Sequence, residues 1–172
     1  ADAGPTAIRF AARHPDRVSA LVLGNTLARY HHAPGSDACP SDELLDGFLA
    51  LLADGWGTPE MFVATFPLLA DAPETTAALA RLTRAAATPS MAVAMYRHVW
   101  QELDVRDDLA LVTAPVLVLR NQNAFVAGGA EYLVDHLPDA RLVDVADDEG
   151  LFFAGDFGPV VDEVATFLTG RP

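Results

Sequence analysis

Two short apolar runs, Val18–Leu23 (VSALVL) and Val116–Leu119 (VLVL), constrain the chain most. Apart from Ser19, each is an apolar stretch without polar alternation, the pattern of a strand buried on both faces. Such strands belong to parallel sheets, whose neighbours are joined by crossovers of a dozen residues or more. Roughly ninety residues separate the two runs, and almost all of the later ones carry helical signals. A third run, Arg141–Val145, follows the helical stretch 130–137. The expected fold is therefore α/β, with three parallel strands, flanking helices and a helical insertion between the first two strands.

The helices are signposted by their first turns. Pro5 opens a helix over 4–13, Pro59 one over 58–66, Pro73 one over 73–87 and Pro89 one over 89–100. Proline is tolerated there because the first N–H groups of a helix have no partner within it. Ser41-Asp42-Glu43 caps a further helix with Leu44, Leu45, Phe48, Leu49 and Leu52 at helical spacing. Gly55-Trp56-Gly57 breaks it, residues 24–40 read as a loop, and 104–111 reads as a short final turn. Val160–Leu168 is a closing amphipathic helix. The expected segments are 1–24 as core, 25–112 as helical insertion and 113–172 as core. Three parallel strands make a small sheet for a domain of this type. Ala1 is not a start methionine: either an initiator was removed or the chain is the tail of something longer. The organisation favours a domain whose front is missing.

Composition narrows the function classes. With 51% hydrophobic and 20% charged residues the chain is not of the disordered class, and no apolar run approaches the roughly 18 residues of a membrane span. The net charge of −13 argues against nucleic-acid partners, since a phosphate backbone repels such a surface. The acidity is uneven. Residues 1–100 hold 7 arginines against 10 acidic residues, and residues 101–172 hold 4 against 14. This reads as a solvated acidic face. Every basic residue is arginine and Ile8 is the one isoleucine, a bias that points to a GC-rich bacterial genome. The single cysteine, Cys39, cannot form an internal disulfide. No basic region followed by an apolar core opens the sequence, and a cytoplasmic location is expected.

Ala3-Gly4-Pro5, the stretch Phe10 to Leu23 with its His14-Pro15-Asp16-Arg17 turn, Pro115–Leu119, Leu137-Pro138-Asp139-Ala140 and the terminal Phe167-Leu168 resemble the α/β-hydrolase superfamily after its nucleophile. The resemblance spans the whole chain but only the later part of that fold, and the helical block corresponds to the family's cap. Asp2-Ala3-Gly4-Pro5 and Glu149–Phe153 are similar, more narrowly, to bacterial hydrolase-like domains associated with adenylate/guanylate cyclase or regulatory modules.

The resemblance implies three chemical positions: a nucleophile on a tight strand-to-helix turn, a carboxylate after the second strand here, and a histidine after the third. Counting back about thirteen residues from His14 lands on Ala1, which has no nucleophile. Asp2 is one place away, and some members, such as haloalkane dehalogenases and epoxide hydrolases, use aspartate. Gln122 stands at the acid position, and an amide cannot stabilise an imidazolium by charge. Gly150 stands at the histidine position, and no histidine follows His136.

The expectation is a hydrolase fold without its triad, acting as a small-ligand-binding or regulatory module. The alternatives are an active hydrolase of a small apolar ester, epoxide or halide through Asp2, and a fragment of a longer hydrolase. Trp56, Trp100, Phe125 and Phe152 are the candidate contacts for a small apolar molecule. No cofactor and no metal are expected. His31 and His32 are candidate pocket residues, and their consecutive side chains point apart, against shared metal ligation. Asp147-Asp148-Glu149 lacks the spacing and glycine of a calcium loop. His14 suits a helix C-terminus, His98 is expected half-buried beside Trp100, and His136 is expected on an exposed helix. An absent N-terminal half, a cyclase or regulatory domain, or a partner chain are the candidate larger partners.

Overall fold

The computed structural model describes residues 3–31, 39–121, 126, 128–145 and 157–170. Three strands, β1 (Leu21–Gly24), β2 (Val116–Arg120) and β3 (Ala140–Asp144), form one parallel sheet in the order β1-β2-β3. The register pairs Leu21 with Val116 and Val116 with Ala140. β2 is the central strand, and Val116, Leu117, Val118 and Leu119 are 0–4% exposed. That burial is what its unbroken apolar sequence requires.

Side chains leave a strand alternately to its two faces, and the core divides accordingly. Leu21, Leu23, Val116, Val118, Ala140 and Leu142 pack on one face with α1 (Gly4–Arg13), α6 (Arg106–Leu109) and α7 (Gly129–His136). Val22, Leu117, Leu119, Val143 and Val145 pack on the other with Val160, Val164 and Phe167 of α8 (Gly158–Thr169). Arg141 on β3 pairs with Glu163 and lies 5.9 Å from the Phe167 ring, so charge and ring contact both hold α8 to the sheet.

β1 starts at Leu21 rather than at Val18. Pro15–Arg17 form a single 3₁₀ turn, and the Val18 N–H bonds back to the Pro15 carbonyl. Pairing begins where Leu21 N–H reaches the Pro115 carbonyl at 2.9 Å. β2 itself cannot start earlier, because Pro115 has no N–H to give the ladder. α1 begins against the far end of β1: a Cβ at Gly4 would lie 2.0 Å from Thr26 Oγ1. Only glycine lets the helix approach so closely.

Residues 1–39 and 103–172 form one compact unit, and residues 40–102 form a second. The second unit contains α2 (Asp42–Gly55), α3 (Pro59–Thr65), α4 (Pro73–Ala86) and α5 (Pro89–Arg97). Ser41, Thr58 and Thr88 cap α2, α3 and α5 by accepting from Leu44, Met61 and Met91 N–H at 3.2, 3.3 and 3.3 Å. The helix expected over 89–100 departs from regular α geometry after Arg97, and His98–Glu102 form a wider π turn. Leu49, Leu52 and Met61 are the buried centre, with Phe48, Trp56, Phe62 and Tyr96 packed around them. Gly57 turns the chain with φ +76°, and Arg84 lies over it and donates to its carbonyl.

Leu117→Ala is expected to lower unfolding stability by about 2–5 kcal/mol, the cost of emptying a filled core site. Leu82→Ala, on the exposed side of α4, is expected to change it by less than about 0.5 kcal/mol. Urea denaturation followed by circular dichroism measures both.

Candidate functional site

In a parallel α/β sheet, chemistry collects beyond the carboxyl ends of the strands. Three such ends meet here. After β1, Asn25 takes a left-handed conformation, φ +47°, which asparagine tolerates better than most residues. Its N–H reaches the Leu119 carbonyl at 3.4 Å, and its side-chain oxygen accepts from Asn121 N–H at 3.4 Å. The first residues past β1 and β2 are thus tied to each other. Asn121 and Thr26 are both buried, and Thr26 Oγ1 stands 3.4 Å from the buried Tyr30 hydroxyl. At the end of β2, Arg120 donates to both carboxylate oxygens of Asp144 on β3, one bond at 2.9 Å, and also to Glu131 on α7. The Asp144 hydrogen bonds, with the Glu131 charge behind them, raise the Arg120 guanidinium above its usual range and outweigh the burial that lowers it.

A second polar cluster sits where the chain leaves and re-enters the sheet unit. Arg29 and Asp104 form an isolated antiparallel bridge, and Val105 N–H bonds to the Ala28 carbonyl at 3.0 Å. The Asp104 carboxylate accepts from Arg29 Nη1 at 3.1 Å, from Arg106 Nη2 at 2.8 Å and from Arg106 N–H at 3.1 Å. Arg9 on α1 donates to the Asp104 carbonyl and to Asp108 Oδ2, the latter at 2.8 Å. Burial by itself would raise the Asp104 carboxyl. The hydrogen bonds and charges of Arg106, with the charge of Arg29, outweigh it and hold the group below its ordinary 3.8. Nothing local in the sequence marks this cluster, whose members are up to 99 residues apart.

The positions singled out from the sequence fall differently. Ala1, Asp2, Gln122, Phe125, Gly150, Phe152 and His32 lie outside the described residues. Gln122 follows the tied pair Asn25–Asn121 directly in sequence, and Gly150 comes six residues after the last residue of β3. Trp100 is 1% exposed and packs against Phe48 and Tyr96, with ring centroids 4.9 and 5.2 Å away. The Trp56 indole N–H donates to the Ala87 carbonyl at 2.9 Å, and its ring meets Tyr96 edge-on at 6.4 Å. Both tryptophans therefore belong to one aromatic cluster of the second unit.

Three of the five histidines are accounted for by neighbours. His14 caps α1, its N–H bonded to the Phe10 carbonyl and its ring 4.7 Å from that of Phe10. His136 is exposed and stacks on Tyr132. His98 is exposed rather than half-buried and pairs with Glu102 at 2.8 Å, while Val99 and Trp100, which follow Ala92 and Tyr96 on the inner face at helical spacing, are buried. Cys39 donates to the Arg29 carbonyl at 3.3 Å. It borders a cavity of about 10 Å³ with Arg29, Arg106 and Tyr132. A second cavity of about 10 Å³ lies between Asn25, Thr26, Arg120 and Val126. Each has room for about one water molecule. Among the described residues no three His, Cys, Asp or Glu side chains converge as metal ligands do, and no helix is long and apolar enough to cross a membrane.

No protein-family model matches the chain, and no curated protein does. Solved structures do. A hydrolase from Oleispira antarctica superposes with a TM-score of 0.78 at 14% identity, over 98% of this chain and 63% of that one. An esterase from Exiguobacterium antarcticum gives 0.76 at 16% identity, over 96% and 63%. The enol-lactonase of Burkholderia xenovorans LB400 gives 0.72 at 21% identity, over 96% and 62%. The chain has the α/β-hydrolase fold. It carries part of that fold, spanning less than two thirds of the length of these structures.

Asp104→Asn is expected to remove about 1–2 kcal/mol at neutral pH, the scale of hydrogen bonds to a charged group. A carboxylate whose folded pKa is depressed stabilises fully above its unfolded value near 3.8 and loses that contribution as pH falls through the lower folded value. Thermal melts from pH 7 to pH 2 are therefore expected to show the variant's deficit at neutral pH closing below about pH 4.

Proposed function

We propose that this chain is an α/β-hydrolase-fold module that binds a small apolar molecule and does not turn it over by triad chemistry. The reading rests on the register that the resemblance implies, in which Ala1, Gln122 and Gly150 fall at the nucleophile, acid and base positions. A triad works as a unit, and loss of its base removes most of the rate. The ends of β1 and β2 support the same reading. Asn25 and Asn121, both neutral amides, bond to each other through side chain and backbone. Within the second unit the aromatic cluster of Phe48, Trp56, Tyr96 and Trp100 is the proposed apolar contact; Phe125 and Phe152 are separate candidates from the sequence. The 62–63% coverage of the superposed structures favours a second reading, in which activity resides in a longer polypeptide that includes this one.

The two tryptophans make the ligand test direct, since they are the only ones in the chain. Titration with 2-octanone is expected to quench their fluorescence saturably, and Trp56→Phe is expected to reduce the change. p-Nitrophenyl butyrate and styrene oxide are expected to react no faster than in buffer. Turnover that disappears in Asp2→Asn would replace this proposal with an aspartate-nucleophile hydrolase.

A further inference from the structure

We propose that the cavity bordered by Arg29, Cys39, Arg106 and Tyr132 binds a single halide ion, chloride or bromide. All of its lining residues belong to the first compact unit, so none of the aromatic cluster proposed above as the apolar contact takes part.

The cavity forms where the chain just past β1 meets the starts of two helices. Leu27, Ala28 and Arg29 line it from the first of these, Arg106 from α6, and Gly129 and Tyr132 from α7. α7 comes this close because Gly129 has no side chain: a Cβ there would lie 1.8 Å from Leu27 Cδ2. Gly129 also opens α7, and the positive end of a helix dipole favours negative charge nearby. Arg29 and Arg106 share one carboxylate, Asp104, at 3.1 and 2.8 Å, which leaves one positive charge over. Arg9 and Asp108 are paired with each other. Glu131, beside Tyr132, is taken by Arg120, and Asp107, beside Arg106, is exposed to solvent. Among the described residues no carboxylate lines the cavity.

Its polar side chains are donors. Arg106 gives Nε and Nη2 to Asp104, and among the described residues its Nη1 has no acceptor. The Tyr132 hydroxyl has none there either; the ring stacks on His136 and only the backbone carbonyl of Tyr132 is engaged. The hydrogen bonds from Asp104 raise the Arg106 guanidinium above its usual range, burial opposes them, and the charges of Asp104, Tyr132 and Asp107 add to the rise, so the Tyr132 oxygen is within electrostatic reach of Arg106. Cys39 already donates its S–H to the Arg29 carbonyl at 3.3 Å, and the Ala28 carbonyl accepts from Val105 N–H at 3.0 Å. Size and hydrogen-bond character then select the occupant. The volume of about 10 Å³ admits one small particle, and a carboxylate or phosphate group, with several heavy atoms, is too large. Water would fit, but its hydrogens need acceptors where the nearby carbonyls are engaged. A halide accepts from every donor, offers none, and supplies the negative charge that the two arginines and Asp104 lack.

The test titrates chloride, and bromide in a parallel series, from zero to about 100 mM against gluconate at constant ionic strength, which holds screening fixed. Tyrosine and cysteine carbons are isotope-labelled and read by NMR. Cys39 gives one signal, and that of Tyr132 is identified among the three tyrosines by its loss in Tyr132→Phe. Both signals are expected to move saturably with either halide. The chloride NMR line is expected to broaden in the presence of the protein and to sharpen again when bromide competes. Tyr132→Phe is expected to weaken the chloride affinity about ten-fold, the worth of one hydrogen bond to a charged group. Arg106→Gln is expected to abolish the broadening, and if that variant does not fold, Tyr132→Phe decides. Three results would overturn the proposal. The Cys39 and Tyr132 signals could stay fixed as halide replaces gluconate, which would leave the cavity to water. Their shifts could grow linearly without saturation, the mark of a bulk salt effect. The chloride affinity could be the same in Tyr132→Phe as in the unaltered chain, which would place any bound halide elsewhere.

Discussion

Parallel pairing around β2 is the constraint from which the rest follows. Neighbouring strands that run the same way cannot be joined by a tight turn, so each pair needs a crossover that covers a face of the sheet. β2 to β3 uses the minimum, with α7 as the cover. β1 to β2 uses an extravagant one: the whole second unit, residues 40–102, lies within it. The sheet tolerates so long an excursion because loop-closure entropy grows only slowly with length. It still needs the two ends of the excursion fixed. The Arg29–Asp104 bridge and the Val105 N–H to Ala28 carbonyl bond do that on the sheet side.

Arginine carries this polar scaffolding. Asp104 takes a forked set of bonds from Arg106 and a bond from Arg29 Nη1, while Arg9 reaches across from α1 to Asp104 and Asp108. Arg120 binds both oxygens of Asp144 and reaches Glu131. The planar fork lets one side chain bridge two elements, which a lysine ammonium does with less geometric definition. A chain with no lysine has thus placed several of its cations at junctions between elements. The strand ends are the region where hydrolase-fold proteins do their chemistry. They are secured here by an amide–backbone bond and one ion-pair cluster.

Much of the fold was legible because it is local. Pro5, Pro59, Pro73 and Pro89 mark first turns, Ser41 caps α2, and Val116–Leu119 could only be a buried strand; each signal lies within a few residues of what it specifies. The start of β1 was not legible, since Val18 is as apolar as Leu21 and only the position of Pro115 on the facing strand decides where pairing begins. His98 illustrates the same limit: its place next to Trp100 along the chain suggested half-burial, and the fold leaves it at the surface, paired with Glu102. Of the candidate site, the tryptophan environment required the packing of α2 against α5.

The sequence by itself determined that this is an α/β chain with three strands and a helical insertion after the first. Those follow from periodicity and spacing, which are properties of neighbours along the chain. Only the tertiary structure decided that β2 lies between β1 and β3 and that Asp104 gathers Arg9, Arg29 and Arg106 around it. Each of these depends on which distant segments meet. That outcome is set by the summed burial of both sheet faces, and no window of the sequence contains it.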